Sequence, residues 1–179
     1  IGYGIAGGIN DRAMFPIIIQ SLGIFAAILS LIFVGKARES PFKAVDHGVF
    51  SAGIFIAIFS AALTWLTFGE FAPFVAVLTG LIAIILLVLI TRYYTSYRMS
   101  PVKEVAKASR TGPATNFLAG IALGLESTAL PIIVVCTAIL VAYSVVTMYG
   151  YEGLYGVALS AIGFLSVAPL VVAMDAYGP

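Results

Sequence analysis

The sequence predicts an all-α fold, a polytopic transmembrane helix bundle with about five spans. Of its 179 residues, 61% are hydrophobic and only 9% are charged, whereas a soluble domain has about 25% charged residues. A chain with so little polar surface cannot cover a water-exposed globule. Its apolar residues are gathered in segments of about 20 residues, the length that a helix needs to cross the hydrocarbon core. The formal net charge of +1 gives none of the concentrated basic surface that nucleic-acid binding requires.

Four of the apolar segments have the length of a single crossing. They cover residues 14–34, 48–68, 71–91 and 153–174. Pro16 and Pro73 fall in the opening turns of the first and third segments, where proline costs no intrahelical hydrogen bond. Each segment is therefore predicted to be one transmembrane helix.

A longer apolar segment, 111–148, lies between the third and the last of these. It exceeds one simple crossing, and it contains Pro131, which frees the backbone carbonyl of Ser127 four residues earlier. A hydroxyl such as that of Ser127 or Thr128 can help to satisfy the freed group. We expect one long helix, kinked near Pro131, whose first part projects beyond the bilayer. Two shorter helices are the alternative.

The basic residues predict how the spans are oriented. Eight of the nine fall in two alternate links, 35–47 and 92–110, while the other two links carry Glu70 and Glu152. Short loops rich in Lys and Arg stay on the cytoplasmic side. We therefore expect both basic links in the cytoplasm, the N-terminal end outside, and the last span to end inside. The basic residues are Lys36, Arg38 and Lys43 in the first link and Arg92, Arg98, Lys103, Lys107 and Arg110 in the second.

Tyrosines and small residues fit this arrangement. One tyrosine group follows the third span and another surrounds the last outer link, as expected for aromatic belts at the two interfaces; an aromatic ligand cage is the alternative. Small residues four apart let helices approach closely in lipid, so a compact bundle is predicted. The tyrosines are Tyr93, Tyr94 and Tyr97, then Tyr149, Tyr151 and Tyr155; the small residues are Gly4 with Gly8, Gly120 with Gly124, and Gly156, Ser160 and Gly163.

Three single residues have both a structural and a functional interpretation. His47 opens the second span, where it is either a solvated interfacial side chain or a proton relay. Glu126 is either an interfacial carboxylate or an intramembrane ion ligand. Cys136, the only cysteine, is expected to be a small buried hydrophobe, because nothing near it has the spacing of metal ligands.

The link 101–116, PVKEVAKASRTGPATN, is the most distinctive loop. If it is helical, Lys103, Lys107 and Arg110 share one face, because they are spaced by four and three residues. A turn at Thr111-Gly112-Pro113 would then end that helix, and Thr115 or Asn116 could cap the next. The loop is either a positive-inside link with a turn or a basic rim around a site for an anionic substrate.

Asp175 is the main candidate site residue. It ends an apolar segment and is followed by Ala176-Tyr177-Gly178-Pro179, where proline predicts the end of the helix. A carboxylate at a helix C-terminus opposes the helix dipole, so it is unfavourable unless cations lie nearby. Mg²⁺ is bound by carboxylates and phosphates together. A metal–phosphate site at the cytoplasmic ends of the spans is therefore the hypothesis that Asp175 supports.

The ends of the sequence predict an internal part of a longer chain. There is no initiator methionine, and IGYGIAGGIN at positions 1–10 looks like the tail of a preceding helix. Residues 108–131, ASRTGPATNFLAGIALGLESTALP, strongly resemble a loop and helix start of membrane-bound, ion-pumping inorganic pyrophosphatases. So do GLYGVALSAIGFLS at 153–166 and MDAYGP at 174–179.

This resemblance implies a homodimer with about sixteen transmembrane helices per subunit, of which this chain would supply five. It implies cytoplasmic hydrolysis of pyrophosphate with Mg²⁺, coupled to export of protons or, in some members, sodium ions; whether K⁺ is needed stays open. A prokaryotic plasma membrane is the expected location. Asp175 alone matches a position of the family's acidic cluster, and the aspartate-rich motifs expected before residue 1 and after residue 179 are absent. The alternatives are a segment of a secondary transporter and a structural subunit.

Overall fold

The computed structural model describes residues 11–34 and 41–177. Within these residues the chain forms six helices, and five of them are long and apolar enough to cross a membrane. This confirms the predicted fold class and the number of spans. The helices are α1 (Asp11–Val34), α2 (Pro41–Phe68), α3 (Ala72–Thr95), the short α4 (Ser100–Ala108), α5 (Pro113–Met148) and α6 (Gly153–Tyr177).

Several helices extend past the apolar segments that predicted them. Helix α2 begins at Pro41, seven residues before the apolar segment, and α3 continues through Arg92 to Thr95. Hydropathy marks where the lipid ends, but backbone hydrogen bonds continue into the aqueous phase as long as the residues allow a helix. The segment 111–148 forms one continuous helix around Pro131, so the alternative of two shorter helices is wrong.

The described residues group into two compact units. Unit 1 contains α1, α2, α3 up to Ile85, the last part of α5 from Ala138, and α6; unit 2 covers Leu86–Thr137. Both hydrophobic core clusters lie in unit 1, and α6 contributes to each of them, with Leu159 in one and Val167 in the other. Helix α6, like α1 and α3, therefore packs into both clusters of this unit.

Small residues bring α6 into backbone contact with its neighbours. A Cβ added to Gly163 would overlap the carbonyl oxygen of Val77 on α3, and one added to Gly156 would lie 2.5 Å from the carbonyl oxygen of Ala142 on α5. On α1, a Cβ at Gly23 would come within 2.9 Å of the Ser166 Cβ. The predicted close packing of the last span is confirmed, since the absence of a Cβ at these glycines is what permits such short distances.

The other predicted glycine pairs have a different outcome. A Cβ added to Gly120 or Gly124 would meet no atom within 4 Å in the described part of the chain, so this pair does not form the packing contact expected of it. Gly4 and Gly8 lie outside the described residues. Spacing on one helix cannot decide contact, because contact requires a second helix on that face.

Two glycine-terminated helices meet at one end of unit 1. Gly69 has φ +66° and donates its N–H to the carbonyl of Trp65 at 3.2 Å, which ends α2. Gly150 has φ +78° and ends α5 in a Schellman motif: Tyr151 N–H donates to Val146 O at 3.2 Å and Gly150 N–H to Thr147 O at 3.0 Å. Both links therefore reverse the chain within a few residues.

Contacts between the links fix them to each other. The Tyr151 hydroxyl donates a hydrogen bond of 3.2 Å to Glu70 Oε2. The Phe68 ring packs edge-on against Tyr151 at 6.1 Å and against Phe15 at 5.0 Å between centroids. The two links that sequence analysis assigned to one side of the membrane thus lie at the same end of the unit.

Three of the buried hydroxyls in unit 1 form hydrogen bonds within their own helices. Ser30, Thr64 and Ser166 donate to backbone carbonyls three or four residues earlier, at 2.7, 2.6 and 2.8 Å respectively. A buried hydroxyl without a partner would be costly in an apolar environment. The helices of unit 1 therefore pack without polar contacts having to cross between them at these positions.

Candidate functional site

Helix α6 carries Asp175 to one end of unit 1. Val167 is buried in a core cluster and Val171 packs against the same cluster, which anchors this part of the helix. The helix continues to Tyr177, so the backbone places Asp175 about one turn beyond Val171. The Asp175 side chain, like Gly178 and Pro179, lies outside the described residues.

The opposite end of α6 carries the Glu70–Tyr151 hydrogen bond. Tyr151 precedes the first residue of α6, and Asp175 is 24 positions later in the sequence, which corresponds to about 36 Å along a helix. The hydrocarbon core of a bilayer is about 30 Å thick. The backbone of Asp175 and the Glu70–Tyr151 bond therefore lie at opposite ends of α6, a helix long enough to cross a membrane.

Pro169 is a feature of α6 that sequence analysis missed. It lies inside the helix, between Val167 and Val171, and is exposed. Proline has no N–H, so the carbonyl of Leu165 loses its intrahelical donor there. The signal was present in the sequence, six residues before Asp175. It marks the point where the helix can bend between the core cluster and the candidate site.

The electrostatics at this end of α6 favour a nearby cation. Carbonyl groups at the C-terminus of α6 carry the negative end of the helix dipole, and Asp175 adds a second negative charge there. Among the described residues, no group of three His, Cys, Asp or Glu side chains is placed to hold a metal ion. Asp175 could supply one carboxylate to a cation bound at this end of α6.

Glu126, the other candidate carboxylate, forms a hydrogen bond with a tyrosine. It is exposed on α5 in unit 2, and its Oε1 accepts a hydrogen bond of 3.4 Å from the Tyr94 hydroxyl near the end of α3. These two residues are 32 positions apart, and no periodicity in the sequence links them. The structure thus gives Glu126 a phenol partner, whereas sequence analysis had assigned Tyr94 only to an interface belt.

The remaining candidate residues are His47, the basic residues of the first link and Cys136, and the described residues form no site around His47 or Cys136. His47 is exposed on α2, and Lys43 lies on the same helix with its side chain outside the described part; Lys36 and Arg38 lie outside it entirely. Cys136 is exposed on α5, so the expectation that it is buried is wrong for this part of the chain. A small apolar thiol can face lipid as readily as protein, and hydropathy alone cannot distinguish the two.

Helix α5 starts earlier than the predicted cap at Thr115 or Asn116, so that prediction is wrong. The helix begins at Pro113, before Thr115 and Asn116, because proline is well suited to the first helical position. The Thr115 hydroxyl instead donates towards the carbonyls of Ala108 and Gly112, at 3.2 and 2.8 Å. It joins the end of α4 to the first turn of α5.

These features define a class: a multi-pass α-helical membrane protein with an acidic residue near the C-terminal end of a closely packed helix. The family model described as inorganic H+ pyrophosphatase matches residues 4–179. The chain therefore belongs to the inorganic H+ pyrophosphatase family. The resemblance seen in residues 108–131, 153–166 and 174–179 is confirmed.

Curated relatives of this chain are named as pyrophosphate-energized pumps. It is 40% identical over 173 residues to a putative K(+)-stimulated pyrophosphate-energized sodium pump of Clostridium tetani, covering 95% of this chain and 26% of that protein. It is 40% identical to the K(+)-insensitive pyrophosphate-energized proton pump 2 of Moorella thermoacetica, covering 93% and 26%. It is 35% identical to the pyrophosphate-energized membrane proton pump 3 of Arabidopsis thaliana, covering 93% and 24%. The chain thus spans about a quarter of the length of these relatives.

Proposed function

We propose that this chain is part of a pyrophosphate-energized ion pump. The observation that carries the proposal is the family match over residues 4–179, together with relatives that are named as such pumps. The pump would hydrolyse pyrophosphate with Mg²⁺ on the cytoplasmic side and export protons. This match favours a pump over a secondary transporter or a structural subunit, the alternatives raised by the sequence.

Asp175 is the residue of this chain that we assign to the hydrolytic site. Its position at the end of α6 opposite Glu70 agrees with a site at the cytoplasmic surface, where the positive-inside rule places that end. A polyanion such as pyrophosphate and a carboxylate repel each other unless cations lie between them. Asp175 would therefore contribute a metal-facing carboxylate, with the other ligands supplied by other parts of the full-length protein.

The transported ion is proposed to be the proton, with sodium as the second candidate. The second candidate is supported by the relative named as a sodium pump. We further propose a homodimer in a prokaryotic plasma membrane, with the N-terminal end of this chain outside. The K⁺ requirement is left to measurement, because the relatives are named as K(+)-stimulated in one case and K(+)-insensitive in another.

The test uses the full-length protein reconstituted in vesicles that contain a pH-sensitive dye. Adding pyrophosphate with Mg²⁺ should acidify the lumen of inward-pumping vesicles, and a protonophore should abolish the gradient. Chelating Mg²⁺, or using a non-hydrolysable diphosphate analogue, should prevent it. ²²Na⁺ uptake that resists the protonophore would show that the transported ion is sodium and not the proton. Solute uptake without pyrophosphate hydrolysis would overturn the pump in favour of a transporter.

Orientation and assembly have their own measurements. With every cysteine of the full-length protein, including Cys136, replaced by alanine, a thiol reagent that cannot cross the membrane should label Glu152→Cys from outside in intact cells. It should not label Ser109→Cys until the membrane is opened. Labelling in the reverse order would invert the proposed topology. The mass of the purified protein in detergent should equal twice that of the full-length subunit, and a monomeric mass would remove the homodimer.

A further inference from the structure

We propose that the first part of α5 projects beyond the bilayer surface and docks, along one apolar ridge, against a helix from another part of the same full-length subunit. The ridge consists of four large side chains in unit 2 that are exposed in the described chain: Phe117 (68% exposed), Leu118 (65%), Ile121 (46%) and Leu125 (70%). All four lie within about 100° of arc around the helix axis. The proposal rests on the part of the proposed function that makes this chain a segment of a longer protein, and its evidence does not involve hydrolysis.

Helix α5 extends well past the end of α3. The Tyr94 hydroxyl donates to Glu126 Oε1 at 3.4 Å, and Tyr94 is the last residue but one of α3. The charged helix α4 lies between these two residues in the chain and cannot return through the bilayer, so α5 begins on the aqueous side of Tyr94. Residues 113–125, the part of α5 before Glu126, therefore form a projection about 20 Å long.

The Tyr94–Glu126 hydrogen bond lies near the bilayer surface. The apolar part of α3 is followed directly by Arg92 and two tyrosines, an order typical of the headgroup level. From Glu126 to Met148, the last residue of α5, the helix rises about 33 Å, which is close to the hydrocarbon thickness of about 30 Å. Residues 113–125 are therefore left over once the membrane has been crossed, as expected of the first part of this helix.

The projecting part of α5 is too apolar to be left bare in water. No charged residue occurs between Arg110 and Glu126. The end of α4 is joined to one side of it, because the Thr115 hydroxyl donates to the carbonyl of Ala108 at 3.2 Å. The ridge is on another side, where its four side chains stay exposed in the described chain. Lipid tails end at the headgroup layer, and a contiguous apolar surface in the aqueous phase marks a protein interface.

The composition of the ridge and the length of the relatives favour a helix of the same subunit. An interface without charged residues is typical of permanent contacts rather than transient ones. This chain spans 26% of the length of the relatives from Clostridium tetani and Moorella thermoacetica, so about three quarters of such a protein lies outside it. A segment of the same chain can cover the ridge as the subunit folds, whereas a second copy would leave it bare in every newly made subunit. The partner helix must itself stay apolar for about 20 Å beyond the bilayer surface.

The experiment measures what surrounds the ridge in the full-length protein, reconstituted in lipid vesicles with every native cysteine replaced by alanine. A nitroxide spin label is attached to Leu118→Cys, and its collisions with water-soluble Ni-EDDA and with lipid-soluble oxygen are measured by power saturation. The aqueous reference is a label at Lys107→Cys, and the lipid reference is a spin-labelled phospholipid. The label at Leu118→Cys should collide with Ni-EDDA at least about tenfold less often than the aqueous reference, because a covered side chain meets solvent only when its cover opens. It should also collide with oxygen less often than the lipid reference.

Each other outcome would overturn the proposal. Frequent collisions with Ni-EDDA would show a bare ridge, and frequent collisions with oxygen would show a ridge covered by lipid. Oxidation that joins two subunits through a disulfide at Leu118→Cys would replace the same-subunit helix by a second copy. Phe117→Cys gives a second label position on the ridge if the first variant does not fold. None of these measurements uses hydrolysis, so the proposed pump activity and this docking can fail separately.

A pair of label-free variants tests the same ridge through stability. Leu118→Gln should lower the thermal unfolding midpoint of the full-length protein by at least about 2 °C, because it places an amide in an apolar contact. Gly120→Ala is the matched control, since Gly120 lies about 160° around the helix axis from Leu118, and it should not lower the midpoint. An unchanged midpoint in Leu118→Gln would overturn a covered ridge.

Discussion

The two units of this chain use glycine in opposite ways. In unit 1, Gly80 and Gly163 allow α3 and α6 to touch through their backbones, and an added Cβ at either would overlap a carbonyl oxygen of the other helix. In unit 2, Gly120 and Gly124 have the four-residue spacing that Gly156 and Ser160 have on α6, but open space surrounds these two glycines in the described chain. The same sequence pattern therefore marks a contact only where a second helix occupies the face. The difference can be tested by substitutions made in matched pairs.

The largest effect on stability is expected from glycines between α3 and α6. Gly163→Ala should lower the free energy of unfolding by about 3 kcal/mol, because the helices must separate to make room for the methyl group. Gly120→Ala should be neutral or stabilising by up to about 1 kcal/mol, through helix propensity. Thermal unfolding of the full-length protein in detergent measures both. An equal loss at Gly120 would show that another part of the full protein packs on that face.

Substitution of the carboxylate in each unit should have different effects on pyrophosphate hydrolysis. Asp175→Asn should reduce kcat/KM for pyrophosphate at least about 100-fold, or about 2.7 kcal/mol in the activation barrier, because it removes a charge proposed to face the metal. Glu126→Gln should change it less than threefold, since Glu126 is bonded to Tyr94 and is not assigned to that site. Hydrolysis by purified full-length variants checks both. A larger loss for Glu126→Gln than for Asp175→Asn would contradict the assignment.

At Gly150, in the turn that ends α5, asparagine should be tolerated better than alanine. Gly150→Ala places a Cβ at φ +78°, which costs about 1–2 kcal/mol of unfolding free energy. Gly150→Asn should lose less, because asparagine adopts the left-handed conformation more readily. Unfolding midpoints of the two variants give the comparison. If alanine were as stable as glycine, the Schellman motif would not be what ends this helix.

The smallest effects should come from the two tyrosine–carboxylate hydrogen bonds. Tyr151→Phe in unit 1 should cost about 1 kcal/mol of stability, because the 3.2 Å bond to Glu70 joins two links. Tyr94→Phe in unit 2 should cost less, because its bond to Glu126 is longer, at 3.4 Å, and exposed. Double-mutant cycles with Glu70→Gln and Glu126→Gln isolate each pair. A greater coupling for Tyr94 would reverse the expected order.

Sequence analysis predicted what depends on local composition and missed what depends on partners. The five spans follow from hydropathy, and the close packing at Gly156 and Gly163 follows from residue size. The Tyr94–Glu126 pair could not be predicted, because 32 residues separate its members and neither lies in a motif. The exposure of Cys136 and of Gly120 depends on which helices stand beside α5, and hydropathy is the same for a lipid-facing side chain as for a buried one.

The candidate site was predictable only in part, for a similar reason. Asp175 could be located because an apolar helix ends just after it, and the backbone of α6 carries it to that position. We propose that other parts of the full-length protein supply the residues that complete a cation site, because this chain spans only about a quarter of the length of its relatives. Spacing predicted one face for Lys103, Lys107 and Arg110 if the stretch were helical. Helix α4 contains both lysines but ends at Ala108, so Arg110 lies in the turn that follows. The hydrogen bonds that join this turn to α5 through Thr115 could not be predicted.

The interlocking of α3 and α6 restricts how α6 can move. Turning α6 about its axis would take Gly163 away from Val77 and bring bulkier neighbours such as Phe164 against the backbone of α3. Rotation is therefore blocked sterically. The missing hydrogen bond at Pro169, which follows the interlocked part in the chain, leaves a point where the helix can bend. If the end of α6 that carries Asp175 moves, it would bend at Pro169, while the part of the helix before Pro169 stays fixed against α3.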